Sequence, residues 1–110
     1  MIEKTILDYL SANLTESCYT ERNGQEGKFV IIEKVGGGQT NHIKRASIAV
    51  QSYADSMYEA AELNERVKAV MDEAVALPNI SSCKLDTDYN FTDTTTKKYR
   101  YQAVYDIIHY

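Results

Sequence analysis

The acidic residues near the C-terminus have the types and spacing closest to those of a metal site. The segment DTDYNFTD starts at Asp86 and includes Asp88 and Asp93, an order of acids that resembles the start of a calcium-binding loop. Such a loop also needs a glycine at its sixth position and a glutamate at its twelfth, for a sharp turn and a bidentate ligand. Phe91 and Lys97 occupy those positions here. Alternation along a strand also accounts for Asp86 and Asp88, and we predict no metal site.

The segment GGGQTNH, residues 36–42, has the glycine content of a phosphate-binding loop. It lacks the GK[ST] ending of such loops, and a strand pattern follows it where a phosphate loop would open a helix. Three consecutive glycines are flexible and do not favour a strand. We therefore predict a long hairpin loop that becomes ordered on contact with a partner.

The residues that most often catalyse reactions do not form a recognisable motif. His42 follows the glycine segment and His109 lies near the end of the chain, and neither has a cysteine or an acid at metal-ligand spacing. No serine lies in a nucleophile-elbow sequence. The sequence predicts no catalytic residue and no cofactor. A small enzyme stays open as an alternative, and it would require a concave site where His42 or His109 meets a carboxylate.

Five of the nine tyrosines lie in the last 22 residues. Tyr99, Arg100 and Tyr101 resemble the aromatic and cationic side chains on which single-stranded nucleic acid stacks. The net charge of −4 and the lack of a basic stripe do not favour that function. A period of two along the strand instead favours a packed aromatic face under a helix, with Tyr89 and Phe91 as cross-strand partners of Tyr99 and Tyr101.

Composition is that of one globular domain, residues 1–110. Apolar residues make up 44% of the chain and charged residues 25%, enough for a core and typical of a folded protein. The start of the chain, MIEKTILDYL, has early acids and no long apolar stretch, so we expect neither a signal peptide nor a transmembrane helix. Cys18 and Cys83 are far apart in the sequence, and we expect both to be reduced, half-buried strand residues.

Hydrophobic spacing predicts the elements of the first half. Met1–Leu14 has apolar residues at helical spacing, and Ser17–Thr20 reads as a short edge strand. Arg22–Gly27 is a polar turn with two glycines, and Lys28–Val35 is a β-branched and aromatic strand. The run Val30–Ile32 is apolar on both faces, so we expect a helix layer on one side and a second cover, of which another subunit is one option, on the other.

The second half alternates strand, helix and two strands. Ile43–Tyr53 is a strand, and Asp55 or Ser56 begins a long helix to about Ala76, which Pro78 ends. Ile80–Phe91 and Lys98–Tyr110 are strands joined by a short turn. The residues expected to face the helices are Ala46, Ile48, Val50, Cys83, Leu85, Thr87, Tyr89, Phe91, Tyr99, Tyr101, Ala103, Tyr105 and Ile107.

The order α-β-β-β-α-β-β predicts an α+β fold, a two-layer sandwich. In it, two helices lie on one face of a mostly antiparallel sheet of four to five strands. The stretches KFVIIEKVGGGQTNHI, IAVQSYADSMYEAAELNERVKAVM and SSCKLDTDYNFTDTTTKKYRYQAVYDIIHY together resemble a small family of phage and prophage structural proteins. These are called minor capsid, head–tail joining or tail-terminator proteins of long-tailed phages of Gram-positive bacteria. The resemblance covers nearly the whole chain and depends on element order and on the closing strand YRYQAVYD.

The resemblance implies a non-enzymatic virion protein that is assembled in the cytoplasm of the bacterial host. Proteins of this family form a ring, usually a hexamer, that ends the tail tube and faces the head connector. The implied partners are copies of the chain, the tail-tube protein and the head–tail connector protein, with DNA only passing through the lumen and no membrane partner. We expect partner contacts in two flexible segments, the glycine segment and the turn before the last strand. Their residues are Gly36, Gly37, Gly38, Gln39, Thr40, Asn41, His42, Asp93, Thr94, Thr95 and Thr96.

A second hypothesis is a small cytoplasmic α+β module that binds a ligand or a protein. Its binding floor would be the tyrosine face, and a deep pocket over Tyr99, Tyr101 and Tyr105 would favour it.

Overall fold

A computed structural model describes residues 1–92 and 98–110 of the chain. Two α-helices and five strands follow one another in the predicted order. The bounds are α1 (Ile2–Asn13), β1 (Ser17–Tyr19), β2 (Phe29–Thr40), β3 (Ile43–Ala54), α2 (Met57–Met71), β4 (Ile80–Asn90) and β5 (Tyr99–His109), with a 3₁₀ turn at Ala74–Ala76 between α2 and β4.

The strands form a single sheet in the order β1-β2-β3-β5-β4. Strand β1 runs parallel to β2, and the other three pairings are antiparallel. Both helices pack on the same side of this sheet, where their apolar stripes and the strand residues opposite them form one core. The predicted α+β class, element order and layer arrangement are therefore confirmed.

The core lies between the sheet and the helices. Helix α1 contributes Ile2, Ile6 and Leu10, which are spaced three to four residues apart and are all buried. The predicted inward residues of β3 and the second half of β5 are also buried, and Tyr105 is the largest fully buried side chain. The buried side chains of this layer are Ile2, Ile6, Leu10, Val30, Ile32, Ala46, Ile48, Val50, Leu63, Val67, Met71, Ala74, Ile80, Ala103, Tyr105 and Ile107.

Helix α2 begins at one of its two predicted starts and ends earlier than predicted. Ser56 is its N-cap, because the Ser56 hydroxyl accepts a hydrogen bond of 3.2 Å from the Glu59 amide. Asp55, the other predicted cap, lies outside the helix. The helix ends at Met71, and Ala74–Ala76 form a separate 3₁₀ turn, so the chain leaves the helix well before Pro78.

Strand β4 carries two bulges that the sequence pattern did not reveal. Its pairing with β5 shifts between Ile80 and Ser82 and again between Leu85 and Thr87. Each bulge moves the later residues to the opposite face. The predicted inward residues Tyr89 and Phe91 therefore lie on the side away from the helices, where they are 41% and 40% exposed.

The same bulge turns Asp88 toward α2, although alternation predicted that it faces solvent. Asn64 Nδ2 donates a 2.7 Å hydrogen bond to Asp88 Oδ1, and Lys68 Nζ forms an ion pair with Asp88 Oδ2. A second ion pair joins α2 to the segment before β1. Arg66 donates to both carboxylate oxygens of Glu16 at 2.7 and 2.6 Å, and these bonds lower the pKa of Glu16. Both edges of the sheet are thus tied to the same helix.

Candidate functional site

The side of the sheet away from the helices is a candidate functional surface, and we call it the free face. Strand alternation and register assign its central side chains to two neighbouring strands. They are Arg45, Ser47, Ala49, Gln51 and Tyr53 of β3 and Arg100, Gln102, Val104, Asp106 and Ile108 of β5.

One half of the free face holds a directional chain of hydrogen bonds across three strands. Arg100 Nη1 donates to the Tyr53 hydroxyl at 2.7 Å, and that hydroxyl donates to Gln51 Oε1 at 3.4 Å. Gln51 Nε2 donates to Gln102 Oε1 at 2.8 Å, and Gln102 Nε2 donates to the Tyr89 hydroxyl. Gln51 and Gln102 are only 8% and 9% exposed. A satisfied network of this kind fixes the spacing of the strands that carry it.

Arginines cover the aromatic end of this half. The Phe29 and Tyr53 rings stack with their centroids 4.6 Å apart. Arg22, from the segment between β1 and β2, lies 4.9 Å from the Phe29 centroid, and Arg100 lies 4.2 Å from that of Phe91. The second cover expected for the apolar run of β2 is therefore provided in part by the chain itself, because Ile31 is 3% exposed in a single copy.

The other half of the free face is a hollow of about 440 Å³. Gly37 and Gly38 line it, and Gly38, which is on the free face opposite Arg45, has no side chain to fill it. Arg45, Lys84 and Asp106 border it. Ser47 Oγ donates a 3.1 Å hydrogen bond to Asp106 Oδ1. The hollow thus offers charges of both signs and hydrogen-bonding groups.

The prediction that residues 36–42 form a long hairpin loop is wrong. Strand β2 continues through Gly36, Gly37, Gly38, Gln39 and Thr40 and pairs with β3 along that length, after a bulge between Lys34 and Gly36. Glycines occur at such bulges and at close backbone approaches.

Only two residues turn the chain between β2 and β3. Asn41 and His42 have φ values of 50° and 69°. Two such residues in succession favour the tight turn that matches the twist of a hairpin. His42 is therefore exposed at a hairpin tip.

The other predicted contact segment, Asp93, Thr94, Thr95 and Thr96, lies outside the described residues. The strand ends that flank it, Asn90 and Tyr99, are at the opposite end of the sheet from Asn41 and His42. The described residues that flank this segment are therefore at the far end of the strands from Asn41 and His42.

The two histidines do not share a site with the acidic residues singled out in the sequence. His109 is 9% exposed, and Lys44 pairs with it in the sheet. Burial lowers the pKa of His109, and the nearby Lys44 and Lys34 charges lower it further. Asp86 lies in the bulge between Leu85 and Thr87, and Asp88 is bonded to α2. Within residues 1–92 and 98–110, no group of three or more His, Cys, Asp or Glu side chains is placed to hold a metal ion.

Sequence reasoning missed the glutamine pair and Arg22. Gln51 and Gln102 occupy period-two positions in the middle of strands, and two amides at buried strand positions are a signal for a mutual hydrogen bond. Arg22 gave no signal, because its contact depends on how the segment before β2 folds back.

No protein-family model matches the chain, and no curated protein is significantly similar to it. Neither helix in the described part of the chain combines the length and the apolar character needed to cross a membrane.

Proposed function

We propose that this protein is a phage tail-terminator or head–tail joining protein, which assembles with its own copies into a ring between the tail tube and the head connector. The observation that carries the proposal is the opposite placement of the two long hairpins. The β2–β3 hairpin turns at Asn41 and His42, whereas β4 and β5 are joined beyond Asn90 and Tyr99, at the other end of the strands.

A ring between two partners must present two different surfaces along its axis. The protein is elongated, with extents of 44 × 25 × 22 Å, and each end of the sheet carries one hairpin connection. At the β2–β3 end, Ile43 is 40% exposed, and Val35, at the bulge in the middle of β2, is 55% exposed. Exposed apolar side chains near a hairpin tip favour contact with another protein. We assign one end to the tube and the other to the connector, without fixing which is which.

A tube-capping assay tests this function. Tail tubes are assembled from the tail-tube protein encoded in the same genome, and the protein is added in increasing amounts. We expect it to bind tube ends, seen by electron microscopy, and to stop further growth of the tubes. Unchanged tube length and bare tube ends at every concentration would overturn the proposal.

Two exposed substitutions sharpen the assay. Ile43→Asp places a charge next to the hairpin tip, and Ala69→Asp places one on the exposed side of α2. We expect Ile43→Asp to weaken binding to either the tube or the connector, and Ala69→Asp to leave both unchanged. Circular dichroism and thermal melting of both variants establish that the fold is retained.

The hollow on the free face supports an alternative, the second hypothesis of a ligand-binding α+β module in the cytoplasm. The tyrosine face is not its binding floor, because Tyr105 is 1% exposed beneath the helices. The hollow on the free face, beside Gly37 and Gly38, is the place where a small polar ligand would fit. A chain that neither forms rings nor caps tubes, but whose melting temperature rises with such a ligand, would favour this alternative.

A further inference from the structure

The strand order leaves two long sheet edges unpaired in the described part of the chain. Strand β1 pairs only with Phe29–Ile31, so β2 has an open outer edge from Ile32 to Thr40. Strand β4 is the last strand at the other side and is open along Ile80–Asn90. Open edges of this length pair readily with another chain.

We infer that β4 of one copy pairs with the open edge of β2 in the next copy, so that the sheets join around a ring. This inference rests on the proposed ring-forming function and identifies its interface. Counting along the sheet, β2 and β5 run in one direction and β3 and β4 in the other. When all copies share one orientation around the ring axis, β4 therefore meets the next β2 antiparallel. Such a contact joins two different surfaces, which is the arrangement that builds rings.

The open edge of β2 lies beside an apolar hollow. Its volume is about 460 Å³, and Leu7 of α1 and Ile32 of β2 contribute its apolar lining. Its border carries charges of both signs, from Glu3, Lys4, Glu33 and Lys34. The hollow is on the helix side of the sheet, because Ile32 belongs to the core beneath the helices.

Strand β4 offers an apolar side chain, Leu85, that matches the apolar hollow in character and in position along the strands. Leu85 pairs with Tyr105, a core residue on the helix side, yet Leu85 is 45% exposed because no helix residue covers it fully. The register across β3 and β5 places Lys34 at the same height along the strands as Leu85. Copies placed side by side at one height thus bring Leu85 to the hollow beside Ile32 and Lys34.

Length and ring closure agree with the same alignment. Asp86, in the bulge after Leu85, comes level with both Lys34 and Glu33, so charge does not decide the pairing. Two identical β4 edges paired with each other would close as a dimer, whereas pairing of two different edges continues around a ring. The stretch Ile80–Asp88 also spans the same height as Ile32–Gln39, and β1 occupies only the sheet edge below Ile32. The edge of β2 is therefore the better partner of β4.

Disulfide trapping tests this interface. In the full chain, with Cys18 and Cys83 replaced by serine, Lys34→Cys and Leu85→Cys are introduced together. Within one copy these positions are on opposite edges, about 14 Å apart at a strand spacing of about 4.8 Å, so they cannot form an intramolecular disulfide. We expect oxidation to give a ladder of covalent multimers that ends at the ring size, on a non-reducing gel.

The controls separate this interface from other assemblies. Lys34→Cys paired with a cysteine at the exposed Tyr58 should not give the ladder. Leu85→Asp, without cysteines, should weaken self-association about tenfold or more in sedimentation over a concentration series. Efficient dimers from Leu85→Cys alone, or only monomers from the double variant at every concentration, would overturn the inference. If rings cap tail tubes but the double variant stays uncrosslinked, the proposed interface is wrong and the proposed function stands. If the double variant gives the ladder but the protein does not cap tail tubes, the interface stands and the proposed function is wrong.

Discussion

Tyr105 is the most deeply buried of the C-terminal tyrosines in the described part of the chain. It is 1% exposed and lies among apolar side chains of the core, and its hydroxyl has no hydrogen-bond partner among the described residues. Burial accordingly raises its pKa. Tyr101, four residues earlier on the same face, is only partly buried. Neighbouring tyrosines of one face therefore contribute very differently to stability.

Substitutions at the two tyrosines measure this difference. We expect Tyr105→Ala to lower the free energy of unfolding by about 3–4 kcal/mol, because it leaves a large cavity. Tyr101→Ala should cost about 1 kcal/mol, because its ring is partly in solvent. Tyr105→Phe should be neutral or stabilising by up to about 1 kcal/mol, since it removes an unpaired buried hydroxyl. Urea denaturation gives all three values. Equal losses for the two alanine variants would contradict the assignment of Tyr105 to the core.

The elements differ in how far the sequence determines them. Strand β3 and the second half of β5 keep strict alternation, so their buried residues Ile48, Val50 and Ile107 could be predicted directly. The facing of the side chains in strand β4 could not be predicted in the same way. A bulge inserts one extra residue, which shifts the register, and no local sequence pattern reveals it. The fold was thus accessible from periodicity, whereas the facing of Asp88 and Tyr89 depends on cross-strand contacts.

The candidate site shows the same limit. The prediction that GGGQTNH forms a long loop followed from the weak strand propensity of glycine, and pairing with β3 overrides that propensity. Only Asn41 and His42 are needed for the turn. Gly37 and Gly38, which line the hollow, stay in the strand, and local sequence rules do not anticipate this.

Gly37 and Gly38, both in strand β2, allow a matched pair of alanine substitutions. A Cβ at Gly37 would lie 3.1 Å from the Arg45 carbonyl oxygen and 2.9 Å from Lys34 Cε, whereas a Cβ at Gly38 meets nothing within 4 Å. We expect Gly37→Ala to lower the free energy of unfolding by about 1 kcal/mol. Gly38→Ala should be neutral or stabilising by about 0.4–1 kcal/mol, because it restricts the unfolded chain. Thermal melting of both variants checks this, and a more stable Gly37→Ala variant would mean that the bulge relaxes freely.

At the scale of the whole molecule, the two faces of the sheet have separate tasks. The helix face holds the core, while hydrogen bonds that run from Arg100 to Tyr89 organise the free face, part of which is covered by Arg22. The rest of the free face is available to line a passage or to receive a partner. In the proposed ring, the open edges of β2 and β4 join the copies, and the two hairpin ends remain available to the tube and the connector.

A protein that lets DNA pass through should not grip its phosphates. The net charge is −4, and the cations of the free face are partly engaged within the chain. Arg22 and Arg100 lie over aromatic rings, and Arg45 and Lys84 share the hollow with Asp106. The net negative charge of the chain opposes phosphate binding, and any attraction by these few cations weakens steeply with salt.

We therefore expect no measurable binding to duplex DNA at physiological salt, measured by fluorescence anisotropy over a salt series. A control variant with Glu33→Lys and Asp106→Lys adds cations to the exposed part of the chain and should gain binding that falls as salt rises. The variant is a positive control. If it binds DNA, the absence of binding by the unmodified protein is not due to an insensitive assay. Salt-dependent binding by the unmodified protein would mean that the free face holds DNA, which is incompatible with passive passage.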